Sequence, residues 1–122
     1  MGLVSFIKSS IILRFMLGVN IIGKINGKKL DLSNLEKKIS KAAKLTGLKI
    51  VKKVFYKFGS KKEATYCFVL SQSHLVVHTW PEKNIIVFDL FTCGDQNKGL
   101  NAIKNIAKYT KGTIKDIKII EL

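Results

Sequence analysis

This chain of 122 residues has few residues that crosslink a fold or interrupt it, with two cysteines and one proline. Two cysteines are too few for the disulfide framework of a small secreted domain, so we expect reduced thiols in a cytoplasmic protein. An apolar fraction of 47% with a single proline excludes a disordered chain. The length suits one domain with one core.

Long hydrophobic runs are also missing. Residues 1–17 are apolar, but Lys8 and Arg14 interrupt them, and a membrane span needs about 20 consecutive apolar residues. A signal peptide would need a longer apolar centre and a small-residue cleavage site. We therefore treat residues 1–17 as an N-terminal extension of unknown role, with Met16 as an alternative start. Residues 18–122 form the predicted domain, and we expect no membrane partner.

Acidic residues are scarce, at eight against 22 lysines and arginines, for a net charge of +14. Such a charge by itself suggests a polyanionic partner, either nucleic acid or an anionic membrane surface. The lysines, however, are spread along the chain as single residues and doublets. Arginine, the better reader of phosphate and guanine, occurs only as Arg14. This distribution is typical of a solvated surface, so we expect no nucleic-acid partner.

Apolar periodicity predicts the element order β-α-β-β-β-β-α-β. Strands are predicted over residues 18–25, 49–57, 66–70, 75–80, 85–92 and 114–120, with helices between Ser33 and Gly47 and over 97–109. Strands clustered in the middle of the chain favour an antiparallel sheet with two helices packed on one face, a two-layer sandwich of the α+β class. The other face would be solvated or covered by a partner. The many apolar strand residues favour a dimer.

Two local predictions concern capping and the core. Ser33 and Glu36 have the spacing of a capping box, with Ser33 as the N-cap. The helix that follows would bury one stripe, made of Leu35, Ile39, Ala42, Ala43 and Leu45. Cys67, between two aromatic residues, is predicted to be an inert core thiol.

Rare residue types concentrate in residues 71–94, which hold both histidines, the only tryptophan, the only proline and one of the cysteines. Core packing does not require such clustering, so this window is the candidate active site. By residue type, His74 and His78 together with Cys67 and Cys93 could be zinc ligands. His74 and His78 would share one face of a β-strand but stand about 13 Å apart. One metal ion cannot bridge that distance, and we predict no metal site.

The window resembles the prokaryotic-type pyruvoyl-dependent S-adenosylmethionine decarboxylase proenzymes. Members of that family show Glu-Ser-His, three residues, His-Thr-Trp-Pro-Glu and then Asp-aliphatic-Phe-Thr-Cys-Gly. This chain has Gln-Ser-His at 72–74, His-Thr-Trp-Pro-Glu at 78–82 and Asp-Leu-Phe-Thr-Cys-Gly at 89–94. The likeness extends more faintly from Gly18 to the last strand.

The resemblance implies a self-cleaving precursor. Ser73 would attack the carbonyl of Gln72, form an ester and eliminate, leaving a β chain of residues 1–72 and an α chain of residues 73–122. The former serine would become an N-terminal pyruvoyl group that forms the Schiff base with substrate, in place of pyridoxal phosphate. The resemblance further implies that His78 assists processing and that Cys93 returns a proton to the substrate carbon.

Four further roles are implied in the same way. Thr65 corresponds to a hydroxyl residue that supports processing. Trp80 and Phe58 correspond to aromatic residues that flank the adenine of the substrate, where a cationic sulfonium is also favourable. Glu82 would accept hydrogen bonds from the ribose hydroxyls.

The implied function is decarboxylation of S-adenosylmethionine to supply aminopropyl groups for spermidine biosynthesis, in a homodimer of cleaved αβ protomers. Two alternatives stay open. One is a decarboxylase of the same family that acts on arginine or ornithine. The other is a basic, non-catalytic binding paralogue that no longer cleaves. The second alternative is supported only by the excess of lysine and by Gln72, which stands where the family usually has glutamate.

Overall fold

Strands and helices follow one another in the predicted order in the computed structural model, which describes residues 17–59 and 63–122. They are β1 (Val19–Asn26), α1 (Leu35–Leu45), β2 (Ile50–Phe58), β3 (Glu63–Leu70), β4 (Ser73–Trp80), a 3-10 turn (Pro81–Lys83), β5 (Ile85–Thr92), α2 (Gln96–Tyr109) and β6 (Thr113–Glu121). Residues 1–16 of the predicted N-terminal extension lie outside the described residues. In the described part of the chain, neither helix has the length and apolar character needed to cross a membrane.

The described strands form one antiparallel sheet with the order β2-β3-β4-β5-β1-β6. The predicted α+β class is confirmed. The strands β3, β4 and β5 follow one another as hairpins, and β1 is inserted between β5 and β6. The two strands that carry the candidate active-site window, β4 and β5, therefore lie inside the sheet, where both of their edges are paired.

The core lies between the two helices and one face of the sheet. Along β4, Leu75 and Val77 are buried while Val76 and His78 are only half-buried, which is the alternation expected of a strand covered on one side. The helices cover that side with their own buried stripes, which include Ile39 and Ile103. We call the opposite side of the sheet the open face.

The start of α1 differs from the predicted capping box. The helix begins directly after Asn34, which has a positive φ of 50° and makes no side-chain cap. The Ser33 hydroxyl instead donates to Asp31, and Glu36 pairs with the Lys53 ammonium. Both partners are charged, and charge-assisted hydrogen bonds are stronger than those to a neutral N–H. The hydrogen bond from Lys53 also lowers the pKa of Glu36.

Two residues predicted for the core lie outside it. Leu45 is 64% exposed, because it falls off the helical stripe that buries Leu35 and Ile39. Cys67 is half-buried on the open face. Alternation along β3 sends its neighbours Tyr66 and Phe68 into the core, and therefore turns Cys67 to the other side.

Candidate active site

The bond predicted to break lies in a tight turn at one end of the sheet. Ser71 and Gln72 connect β3 to β4, and Leu70 pairs with Ser73 across this turn. Ser73 also pairs with Thr92 of β5. Gln72 is exposed and Ser73 is half-buried. Cleavage between them would leave the strands on both sides paired, because each keeps its own ladder of hydrogen bonds.

The carbonyl group of the peptide bond that is predicted to break accepts a backbone hydrogen bond. The N–H of Cys93, directly after β5, donates to the carbonyl oxygen of Gln72 at 3.2 Å. When a nucleophile adds to a carbonyl carbon, negative charge develops on the oxygen, and a donor already in place stabilises it. The structure thus brings together Gln72, Ser73 and Cys93, three of the residues predicted from sequence.

Ser73 borders a cavity of about 200 Å³ at this end of the sheet. By alternation along β4, its side chain lies on the same side as Leu75 and Val77, under the helices. The other walls come from the turn between α1 and β2, from the β3–β4 turn, from the end of β5 and from the start of α2. They include Gly47, Lys49, Gln72, Thr92, Asp95 and Lys98. The predicted nucleophile therefore faces a small polar space that is distinct from the open face.

A second group of predicted residues lies on the open face. Thr65 of β3 and His78 of β4 are paired in register, and the Thr65 Oγ1 lies 3.1 Å from the His78 Nδ1. This contact fixes the orientation of the imidazole and leaves its Nε2 for another partner. The indole of Trp80 is next to the imidazole, with the ring centroids 6.0 Å apart.

The two groups are separated within one chain. Ser73 and His78 are five residues apart on β4, which corresponds to about 16 Å along a strand. Because five is an odd number, their side chains also point to opposite faces. The structure therefore does not bring the predicted processing histidine to the predicted nucleophile of the same chain.

The residues predicted to hold the substrate lie near His78. Phe58 on β2 and Trp80 on β4 flank β3 at the same end of the open face, and they are 45% and 39% exposed. Strands separated by one neighbour are about 10 Å apart. Tyr56 stacks on Phe58 with a centroid distance of 6.0 Å, a contact that the sequence reasoning missed. Glu82 is exposed in the 3-10 turn after β4.

A further polar group on the open face was also missed. The Asn20 amide donates to the Asp89 carboxylate at 2.6 Å. The His74 Nε2 lies 3.9 Å from the same carboxylate oxygen, and its ring stacks on Phe91. Asn20 reaches Asp89 because β1 inserts beside β5, whereas His74 reaches it from the neighbouring strand β4. Strand order of this kind has no local signal in the sequence.

Comparison with known proteins identifies the chain as an enzyme of the carboxy-lyase class. It belongs to the S-adenosylmethionine decarboxylase family, whose model matches residues 20–121. The chain is 35% identical over 104 residues to an S-adenosylmethionine decarboxylase proenzyme of Syntrophomonas wolfei, covering 81% of this chain and 82% of the relative. A proenzyme of the same name from a Hydrogenobaculum strain is 33% identical over 109 residues, covering 86% and 81%.

A solved structure agrees with this assignment. The crystal structure of the adenosylmethionine decarboxylase from Aquifex aeolicus superimposes with a TM-score of 0.70 at 26% sequence identity. The match covers 88% of this chain and 89% of the Aquifex chain. The family and the arrangement of the sheet and helices are therefore both supported by known proteins.

Proposed function

We propose that this protein cleaves itself at Ser73 and then converts S-adenosylmethionine to its decarboxylated form, the aminopropyl donor for spermidine biosynthesis. The observation that carries the proposal is the hydrogen bond from the Cys93 N–H to the Gln72 carbonyl. It provides the donor that cleavage requires, on the one carbonyl that must be attacked. The printed names of the relatives, which call them proenzymes, also support cleavage.

Cleavage begins when the Ser73 Oγ adds to the carbonyl carbon of Gln72 and the C–N bond between the two residues breaks, which leaves an ester and a free amine. Loss of the Ser73 α-proton then breaks the bond between Cβ and the ester oxygen. Gln72 leaves as a carboxylate, and residue 73 becomes a dehydroalanine. Addition of water and loss of ammonia convert this residue to a pyruvoyl group. A backbone donor on a developing oxyanion contributes about 3 kcal/mol to such a step.

The pyruvoyl group would supply the electron sink for decarboxylation, without pyridoxal phosphate or a metal. Cys93 is suited to take part in this chemistry because its side chain is exposed. It also directly follows Thr92, the residue that pairs with Ser73 across the sheet. We assign to its thiol the return of a proton to the substrate carbon. We assign Phe58 and Trp80 to the adenine and the sulfonium, and Glu82 to the ribose hydroxyls, since aromatic faces attract a cation.

The active form would be a homodimer of cleaved αβ protomers in the cytoplasm, with open faces in contact. This arrangement would place the Thr65–His78 pair of one protomer against the sheet of its partner. To meet it, the partner's Ser73 hydroxyl, which lies on the helix side in this structure, would have to turn toward the open face. The open face is also apolar enough for such a contact: its large exposed residues include Val54, Tyr56, Phe58, Val69 and Trp80. Two-fold contacts use the same surface on both copies.

Intact mass spectrometry of the denatured, freshly purified protein tests the proposal. We expect two fragments, residues 1–72 and residues 73–122, with pyruvoyl at the start of the second. The variant Ser73→Ala should remain one chain of 13.7 kDa. A wild-type chain that also stays intact on incubation would refute self-cleavage and favour the non-catalytic alternative.

Carbon dioxide release from the cleaved protein then identifies the substrate. S-adenosylmethionine, arginine and ornithine are supplied separately at equal concentration. We expect release from S-adenosylmethionine alone. Carbon dioxide release from arginine or ornithine instead would support the pyruvoyl mechanism but refute S-adenosylmethionine as the substrate.

A further inference from the structure

We infer that Thr92 is a positioning residue for chain cleavage, because its hydroxyl holds the turn that places the Cys93 N–H on the Gln72 carbonyl. The inference rests on the proposed self-cleavage at Ser73. It concerns a side chain to which the sequence motif assigned no role.

The first argument is the position of Thr92 in the ladder between β4 and β5. Gln72 and Cys93 face each other and are joined by a hydrogen bond. Neighbouring pairs of an antiparallel ladder alternate between bonded and non-bonded, and side chains are closest in the non-bonded pairs. The next pair is Ser73 with Thr92. The two hydroxyl-bearing side chains are therefore close neighbours on the helix side of the sheet.

The second argument is the hydrogen bond of the Thr92 hydroxyl. Its Oγ1 accepts the backbone N–H of Gly94 at 3.1 Å. This bond closes a short turn around Cys93, of the kind that serine and threonine side chains form with backbone two residues on. Thr92 is only 2% exposed, and it also borders the cavity beside Ser73. A buried hydroxyl thus anchors a turn whose next residues are exposed.

The position of the Cys93 N–H matters because an oxyanion donor works only at hydrogen-bond distance from the developing charge. The donor lies at the end of β5, where the ladder stops and no further strand pairing restrains it. Removing the Thr92 hydroxyl would release the Gly94 N–H to water and loosen the turn. A displacement of about 1 Å in a reacting group can slow a step by about 100-fold.

The test uses the isosteric variant Thr92→Val and the conservative variant Thr92→Ser. Full-length chains are made by cell-free synthesis, and the intact and cleaved masses are followed over time. We expect cleavage of Thr92→Val to be about 10- to 100-fold slower than wild type, and cleavage of Thr92→Ser to stay close to wild type. Wild-type rates for Thr92→Val would overturn the inference.

A matched control separates positioning from stability. Thr110 is also fully buried, and its hydroxyl donates to the Ile106 carbonyl at 2.8 Å at the far end of α2. Thr110→Val should lower the melting temperature to a similar degree and leave cleavage unchanged. Equal slowing in Thr110→Val would assign the effect to general loss of stability and overturn the inference.

Hydroxylamine identifies the step, since it cleaves the ester but not the amide. If Thr92 positions the donor for ester formation, Thr92→Val should hold less hydroxylamine-sensitive chain than wild type early in the reaction. Accumulation of ester in this variant would place Thr92 in the elimination step and refute its assigned role. A wild-type chain that never cleaves would overturn the proposed function and this inference together. If wild type and Thr92→Val cleave equally, only the inference about Thr92 fails.

Discussion

Ser73 and His78 lie on opposite faces of the same strand, about 16 Å apart along β4. Ser73, the proposed nucleophile, borders a polar cavity under the helices, whereas the His78 imidazole contacts Thr65 on the open face. The two side chains therefore do not meet within one chain of this structure. If His78 acts in cleavage at Ser73, we expect it to act from a second chain, as in the proposed dimer.

Mixed dimers should restore cleavage to two variants that are inactive alone. Ser73→Ala lacks the nucleophile, and His78→Ala lacks the histidine. When the two chains are co-expressed in equal amounts, half of the dimers are mixed. In each mixed dimer, one site combines the Ser73 of the His78→Ala chain with the His78 of the Ser73→Ala chain. We expect about half of the His78→Ala chains to be cleaved in the mixture. Mass spectrometry measures this fraction, and co-expression with the double variant is the control. Absence of cleavage in the mixture would contradict sharing of His78 between protomers.

Cys93 should act in cleavage through its backbone and in decarboxylation through its side chain. In Cys93→Ala the N–H that contacts Gln72 is kept, so we expect cleavage to proceed. Loss of the thiol should lower kcat for decarboxylation by about 100-fold or more. Cys67→Ala is the matched control, because Cys67 is half-buried on the open face, and it should keep both reactions. An uncleaved Cys93→Ala chain would show that the thiol itself is needed for processing.

Replacing Gln72 with glutamate should speed cleavage. The Gln72 side chain is exposed beside the bond that breaks, and a carboxylate can take part in proton transfer there while an amide cannot. We expect Gln72→Glu to cleave several-fold to about 100-fold faster, with Gln72→Ala close to the wild type. Time courses of the intact mass measure the rates. Equal rates for all three chains would mean that the residue 72 side chain has no part in processing.

The Glu36–Lys53 pair should make a small contribution to stability that disappears in acid. The hydrogen bond from Lys53 lowers the pKa of Glu36 below its ordinary value of 4.5. A lowered pKa in the folded state stabilises the fold above the unfolded-state pKa, and this contribution is lost as pH falls through the folded-state pKa. Both side chains are partly exposed, so we expect at most about 1 kcal/mol.

Denaturant unfolding of wild type and Glu36→Gln measures this contribution. The difference in unfolding free energy should be present at pH 7 and vanish as the pH falls through the folded-state pKa of Glu36, below which both forms carry a neutral residue 36. Lys53→Met, which removes the partner, should show the same loss. A difference that persists unchanged in strong acid would assign the effect to packing and not to charge.

The order of strands and helices was readable from the sequence because it depends on local periodicity. Period-two alternation marks residues 85–92 as a strand, and the helical stripe over 97–109 marks α2, each within a residue of its place in the structure. The motif within residues 71–94, through its resemblance to the decarboxylase proenzymes, likewise indicated Gln72, Ser73 and Cys93. Predictions that depended on one exact neighbour were weaker. Ser33 was expected to cap a helix, but the charged Asp31 was the stronger partner.

What only the tertiary structure decided is which residues face each other across the sheet. The Cys93 N–H meets the Gln72 carbonyl because β4 pairs with β5 in one register. The pairing of Asn20 with Asp89 exists because β1 enters beside β5. Both depend on strand order and register, which are set by the burial of the whole sheet face and not by any local pattern. The sequence therefore determined the chemical groups of this protein, and the sheet determined that Ser73 and His78 cannot meet within one chain.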